Sequence, residues 1–231
     1  MDDKRERLKS FFHKIKDCHQ CGLYNGRTRF VFGSGSANAK LMFVGEAPGK
    51  NEDLQGLPFV GRAGKILDDL LESIGMTRKE VFIANVLKCR PPGNRDPGLE
   101  EINTCKEYLF EQIKIISPEV ICTLGKYSTQ LILDTEQGIT GLRGKVFRKD
   151  GMVILPINHP AAVLYTPSRM EILQNDFLRI KKIMDSGYRT EASPAGIEAD
   201  HKAEHKMDNK TDNKTDNKTD NNDGSGQLGL F

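Results

Sequence analysis

Nowhere in the 231 residues is there a run of about twenty apolar side chains, the length a membrane-spanning helix needs. The first residues, MDDKRERLKSFF, also lack the apolar stretch of a secretory signal, so a cytoplasmic protein is the expectation. Only five cysteines are present, and since a disulfide scaffold belongs to small secreted domains while this chain is long and is read as cytoplasmic, metal or cluster ligation is the better reading. Net charge is scarce as well, at +2, but this hides a split. From Glu191 onward nine acidic residues face five lysines, a balance of −4, which leaves +6 on residues 1–190. A basic body can face a polyanion, although a charge of this size also suits a merely solvated surface.

Large apolar side chains nearly vanish after Tyr188 until the last four positions. Within that stretch DNKT occurs three times in succession, beginning at Asp208, Asp212 and Asp216. Such a polar repeat cannot bury enough surface to offset its ordering entropy, so residues 191–226 read as a disordered linker. Residues 1–190 read as one domain. There, Lys40–Val44, Val81–Leu87, Val120–Leu124 and Met152–Ile157 are near-continuously apolar and bounded by Gly, Pro or charge, as buried parallel strands are. Helical spacing fills the intervals at Ala63–Ile74, Leu99–Ile116 and Lys126–Leu133, with a closing helix over Arg169–Met184 and a short amphipathic segment at Arg5–Ile15. The alternation predicts an α/β fold, a three-layer α/β/α sandwich around a mostly parallel four-stranded sheet. Ligands are expected at the C-terminal ends of its strands.

Four cysteines form a frame: Cys18 and Cys21 as CxxC, Cys89 in KCRPP, and Cys105. Four thiolates from three segments suit a tetrahedral zinc or a cubane iron–sulfur cluster. A zinc ribbon would show two CxxC knuckles, whereas fifteen residues separate Cys89 from Cys105. Cys122, inside VICTLG, reads as an ordinary buried cysteine.

The segment Gly45–Gly64, GEAPGKNEDLQGLPFVGRAG, is not a GxxxxGK[ST] phosphate loop, since no Lys-Ser or Lys-Thr follows. It is longer and richer in glycine than packing requires, which marks it as functional, and it gathers Glu46, Glu52, Asp53 and Phe59. Asn85 lies in an apolar strand where its amide needs a partner or a ligand. His159 follows the last strand, in NHPAAVLY, on the same ligand-binding edge.

Taken together, GEAPGKNEDLQGLPFVGRAG, NVLKCRPPGNRDP, NHPAAVLY and the cysteine frame resemble the family-4 uracil-DNA glycosylases, the iron–sulfur-containing branch, over residues 5–185. The resemblance implies a monomeric, nucleoid-associated enzyme that flips uracil from DNA and hydrolyses its N-glycosidic bond, leaving an abasic site. It implies a 4Fe-4S cluster on Cys18, Cys21, Cys89 and Cys105. It implies that Phe59 stacks on the base, that Asn85 accepts from N3–H and donates to O4, and that His159 donates to O2. The amides around Glu46 and Ala47 would assist at that oxygen. Ala47 occupies the slot where better-known uracil glycosylases carry an aspartate, so the catalytic carboxylate falls to Glu46 first and Glu52 second. Glu52 could instead crowd the 5-position and exclude thymine. Lys50, Arg62, Lys88, Arg90, Arg95 and Arg169 become candidate phosphate contacts, and Pro160–Tyr165 a wedge.

The terminal Gln227, Leu228, Gly229, Leu230 and Phe231 resemble a bacterial-type sliding-clamp-binding pentapeptide carried on the linker. The rival reading is a non-catalytic, metal-stabilised nucleic-acid-binding module recruited to a clamp.

Overall fold

In a computed structural model that describes residues 3–187, the chain starts with helix α1 (Lys4–Ile15), whose N-cap Asp3 accepts a hydrogen bond from the Arg5 amide at 3.0 Å. There follow β1 (Ser34–Gly35), β2 (Leu41–Gly45), α2 (Lys50–Gln55), α3 (Arg62–Ser73), β3 (Phe82–Asn85), α4 (Leu99–Ile116), β4 (Val120–Leu124) and α5 (Lys126–Leu133). After α6 (Ile139–Leu142) come β5 (Phe147–Lys149), β6 (Met152–Ile157), α7 (Ala161–Tyr165) and α8 (Arg169–Asp185).

The strands form one sheet in the order β1-β3-β2-β4-β6-β5. β3, β2, β4 and β6 are parallel neighbours, the four strands read from the apolar runs. The sheet is wider than expected by two antiparallel edge strands, β1 on β3 and β5 on β6. At two and three residues, those edges are too short to print a period-2 pattern in the sequence.

Because successive strand residues point to opposite faces, each strand feeds two cores. Met42, Val44, Ala84, Ile121 and Ile154 pack with Leu8 and Phe12 of α1 and Leu109, Ile113 and Ile116 of α4. Leu41, Phe43, Ile83, Val120, Cys122 and Leu155 pack on the other side with Leu67, Leu70 and Leu71 of α3 and Leu173, Phe177 and Ile180 of α8. Each fully buried Leu, Ile or Phe contributes about 1.5–3 kcal/mol, so both faces are well filled and the sandwich has three layers. Cys122, fully buried in the second core, is the packing cysteine that its sequence context implies.

The register aligns Gly45 with Asn85 and Val44 with Thr123, which brings the C-terminal ends of the parallel strands level. Past those ends the chain does not run on as strand. The Val86 amide bonds the Gly45 carbonyl at 3.0 Å and the Leu87 amide the Glu46 carbonyl at 2.9 Å, tying the two residues that lead into KCRPP to the start of the glycine-rich stretch. That stretch is less of a loop than it reads, since α2 and the first turn of α3 take up much of it. Among the described residues no helix is long and apolar enough to cross a membrane. The linker at 191–226 and the pentapeptide at 227–231 lie outside the described residues.

Candidate active site

At the aligned strand ends lies a cavity of about 480 Å3, lined by Glu46, Ala47, Glu52, Phe59, Asn85 and His159, with Arg95, Asp96 and Tyr165 at its margin. Every residue read as base-binding or catalytic thus reaches one space, and its size suits a small planar ligand. Asn85 ends β3 with only 2% of its surface exposed. A Cβ on Gly45 would stand 2.4 Å from Asn85 Oδ1 and 2.8 Å from the Phe59 ring, so only glycine lets the β2 backbone approach both side chains.

Two titratable groups are driven in useful directions. Glu46 is half-buried and its carboxyl is pushed up to about 7, first by desolvation and then by the negative charge of Asp96, with Lys126 pulling the other way. Asp96 itself accepts from Tyr127 Oη at 2.7 Å. His159 is pushed down to about 4 by burial, against a weaker opposing pull from Glu52, so its ring is neutral at pH 7. The Ala161 amide donates to His159 Nδ1 at 3.1 Å, which places the ring proton on Nε2. The ring stacks on Phe59 with centroids 5.4 Å apart and planes at 25°.

Glu52 is occupied differently from a free acid. Its Oε1 accepts from the Val60 amide at 2.9 Å and the Gly61 amide at 2.8 Å. Lys88 departs further from expectation: it is fully buried and is no phosphate contact. Its Nζ donates to the Asn85 carbonyl at 2.9 Å and to Gln112 Oε1 at 2.6 Å, while Gln112 Nε2 donates to the Phe32 carbonyl at 2.9 Å. Arg95 is ion-paired with Glu101 at 2.5 Å, and Arg90 Nε donates to Asn94 Oδ1 at 2.7 Å. Lys50, Arg62 and Arg169 are exposed, and Tyr165 is 86% exposed at the cavity rim.

Cys18, Cys21, Cys89 and Cys105 line a second, tighter cleft with Tyr24, Phe30 and Tyr108. Among the described residues no three His, Cys, Asp or Glu side chains are gathered as the ligands of a single metal ion. The sulfurs are addressed by hydrogen-bond donors: Tyr108 Oη reaches Cys18 Sγ at 3.2 Å, Arg27 Nη1 reaches Cys89 Sγ at 3.5 Å, and the Gln20 amide reaches Cys18 Sγ at 3.5 Å.

The model of the uracil-DNA glycosylase superfamily matches residues 32–182. A protein of Sulfurisphaera tokodaii named type-4 uracil-DNA glycosylase is 44% identical over 190 residues, which is 78% of this chain and 85% of that protein. A protein of the same name from Archaeoglobus fulgidus is 44% identical over 77% of this chain and 94% of its own length. A third, from Thermotoga maritima, is 40% identical over 71% and 86%. The chain belongs to the type-4 uracil-DNA glycosylases.

The sequence pattern of this family member did not single out several side chains that hold its site together. Arg27 binds the Cys18 carbonyl at 2.7 Å and the Lys16 carbonyl at 3.2 Å, besides Cys89 Sγ, and so fastens the CxxC loop to the KCRPP segment. Asp53, which the sequence marks only as one of three carboxylates in the glycine-rich stretch, is buried in α2, where it accepts from the Thr28 amide at 2.8 Å and joins that stretch to the same loop. Asp96 and Tyr127 stand beside Glu46, and Arg78 grips the turn that carries Phe59. A charged residue in a polar segment carries no mark of burial, and only the tertiary contact gives it a role.

Proposed function

We propose that this type-4 glycosylase excises uracil from DNA by hydrolysing the N-glycosidic bond of a flipped nucleotide. The observation that carries the reading is the convergence of Phe59, Asn85, Glu46 and a neutral His159 on one cavity.

Phe59 offers a face for the uracil ring, a contact of roughly 1–3 kcal/mol. Asn85 accepts from N3–H and donates to O4, a pattern that cytosine's edge reverses, so one amide rejects the normal base. As the glycosidic bond stretches, negative charge grows on O2 of the leaving base. The Nε2–H of His159 is a donor for that oxygen, and a neutral donor strengthens as the charge develops. Cationic character grows at C1′, and the Glu46 carboxylate, when ionised, opposes it and orients water for attack. Glu52 has one oxygen committed to two backbone amides, which favours Glu46 as the acid that acts.

The four-cysteine cleft is the place for a 4Fe-4S cluster. Four thiols around one cleft, with N–H and O–H donors aimed at sulfur, are the donor set that such a cluster takes. Such a cluster would brace the loops without entering the reaction, since hydrolysis needs no electron transfer. Lys50, Arg62 and Arg169 are free to face DNA phosphates, with Tyr165 as the tip of the wedge. The enzyme acts as a monomer, and QLGLF at 227–231 tethers it to a sliding clamp, which raises its effective concentration on DNA.

Incubation with a uracil-containing oligonucleotide followed by alkali tests the activity. Strand breaks at the uracil are expected, and none above a blank would leave the non-catalytic binding module. Removal of residues 227–231 is expected to abolish clamp pull-down while sparing oligonucleotide cleavage; clamp binding that survives removes the motif reading.

A further inference from the structure

The turn at 58–61 presents Phe59 to the base cavity, and two opposite charges hold its peptide groups from either side. Arg78, in the connection between α3 and β3, donates through Nη1 to the Pro58 carbonyl at 3.0 Å and through Nη2 to the carbonyls of Phe59 and Gly64. Its Nε is paired with Asp68 on α3, which aims the guanidinium. On the other side Glu52 of α2 takes the amides of Val60 and Gly61 on one carboxylate oxygen. Cation meets carbonyls and anion meets N–H groups, so each contact is a charge-assisted hydrogen bond.

Between these two grips Phe59 has φ +53, in the left-handed region that an aromatic residue avoids without outside support. The approach is close enough that a Cβ on Gly64 would lie 1.7 Å from the Phe59 carbonyl oxygen. Released from either grip, the turn can relax to negative φ and swing the ring away from the cavity and from His159.

We infer that Arg78 and Glu52 are positioning residues that hold Phe59 ready for the flipped base before DNA arrives. The inference rests on the reading that Phe59 stacks on uracil. A pre-set ring need not be ordered by the substrate, so the stacking contact is available in full when the bond breaks. Arg suits the place because its planar fork spreads donors on three nitrogens over Pro58, Phe59, Gly64 and Asp68, a spread that the single nitrogen of an ammonium does not match.

Single-turnover excision at saturating DNA tests this in the full chain. Arg78→Met is expected to slow excision by up to the span of a lost base–aromatic contact, about 5- to 150-fold, with unchanged binding to the same oligonucleotide carrying thymine. Arg78→Lys recovers part of the loss. In a Phe59→Ala background Arg78→Met adds nothing further, because it acts only through that ring. Excision by Arg78→Met at the parental rate, or a loss that multiplies with that of Phe59→Ala, overturns the inference. A parental rate for Phe59→Ala itself sinks the stacking reading instead, so the two failures are separable. If Arg78→Met does not fold, Gly64→Ala displaces the same carbonyl with Arg78 intact, and the same loss and non-additivity are expected. Glu52→Gln keeps an acceptor and should lose less than about tenfold with an unaltered pH profile. A profile that changes makes Glu52 a catalytic acid and removes its part in the clamp.

Discussion

If Glu46 works as an anion, uracil excision must rise with pH through about 7, the value to which burial and Asp96 push its carboxyl. His159, held near 4, cannot produce that limb, although histidine would be the ordinary suspect there. The informative perturbation is Asp96→Asn, which removes the like charge while keeping an acceptor for Tyr127 Oη. Desolvation, the larger cause, remains, so the Glu46 pKa should fall by about one unit and stay above its usual range. With a pKa of 7, about one-tenth of Glu46 is ionised at pH 6, and with a pKa of 6 about half is. The variant is therefore expected to be about fivefold faster than the parent at pH 6 and nearly equal to it at pH 8. Lys126→Met should move the limb the other way, because Lys126 is the cation that holds the pKa down. The assay is single-turnover excision from a uracil oligonucleotide between pH 5 and 9. Glu46→Gln should remove the limb and slow the plateau by about 10²–10⁴-fold. A limb near 7 that survives in Glu46→Gln refutes the assignment.

The same raised pKa implies a stability effect of definite sign. The folded state holds the proton that the unfolded chain releases, so stability falls as pH rises from the unfolded value near 4.5 toward 7. Glu46→Gln should accordingly raise Tm at pH 8, by about 2–4 °C for each kcal/mol recovered, and leave it nearly unchanged at pH 4; a lower Tm at pH 8 refutes this. Asn85→Asp, which removes the donor to O4 and adds a charge at a 2% exposed site, should cost about 2–3 kcal/mol in kcat/KM on uracil, roughly 30- to 150-fold. Lys88→Met leaves the Asn85 carbonyl and Gln112 Oε1 unpaired and should cost about 1–3 kcal/mol in denaturant unfolding, without changing the salt dependence of DNA binding. A shallower salt slope would restore Lys88 as a phosphate contact. Iron and zinc analysis with visible absorbance of anaerobically purified protein should show about four irons per chain in the parent and loss of the chromophore in Cys105→Ala; zinc at one per chain refutes the cluster.

The features legible in the amino-acid order alone rest on signals that are local. The four buried strands are continuous apolar runs, and the long helices carry a 3.6-residue spacing, so the layer architecture and its functional edge are legible without coordinates. Motif residues at strand ends, Glu46, Asn85 and His159, were legible for the same reason, because a polar group next to an apolar run stands out. Tertiary structure decided what depends on distance between segments. Lys88 reads as a surface cation and is instead sealed inside, spanning β3 and α4. Glu52 reads as an acid in a loop and instead holds the turn that carries Phe59. Arg78 and Arg27 sit in polar stretches with nothing to mark them, and each acquires its role from carbonyls at least nine residues away. The protonation states of Glu46 and His159 belong to this second group, since desolvation exists only once the chain has folded around them.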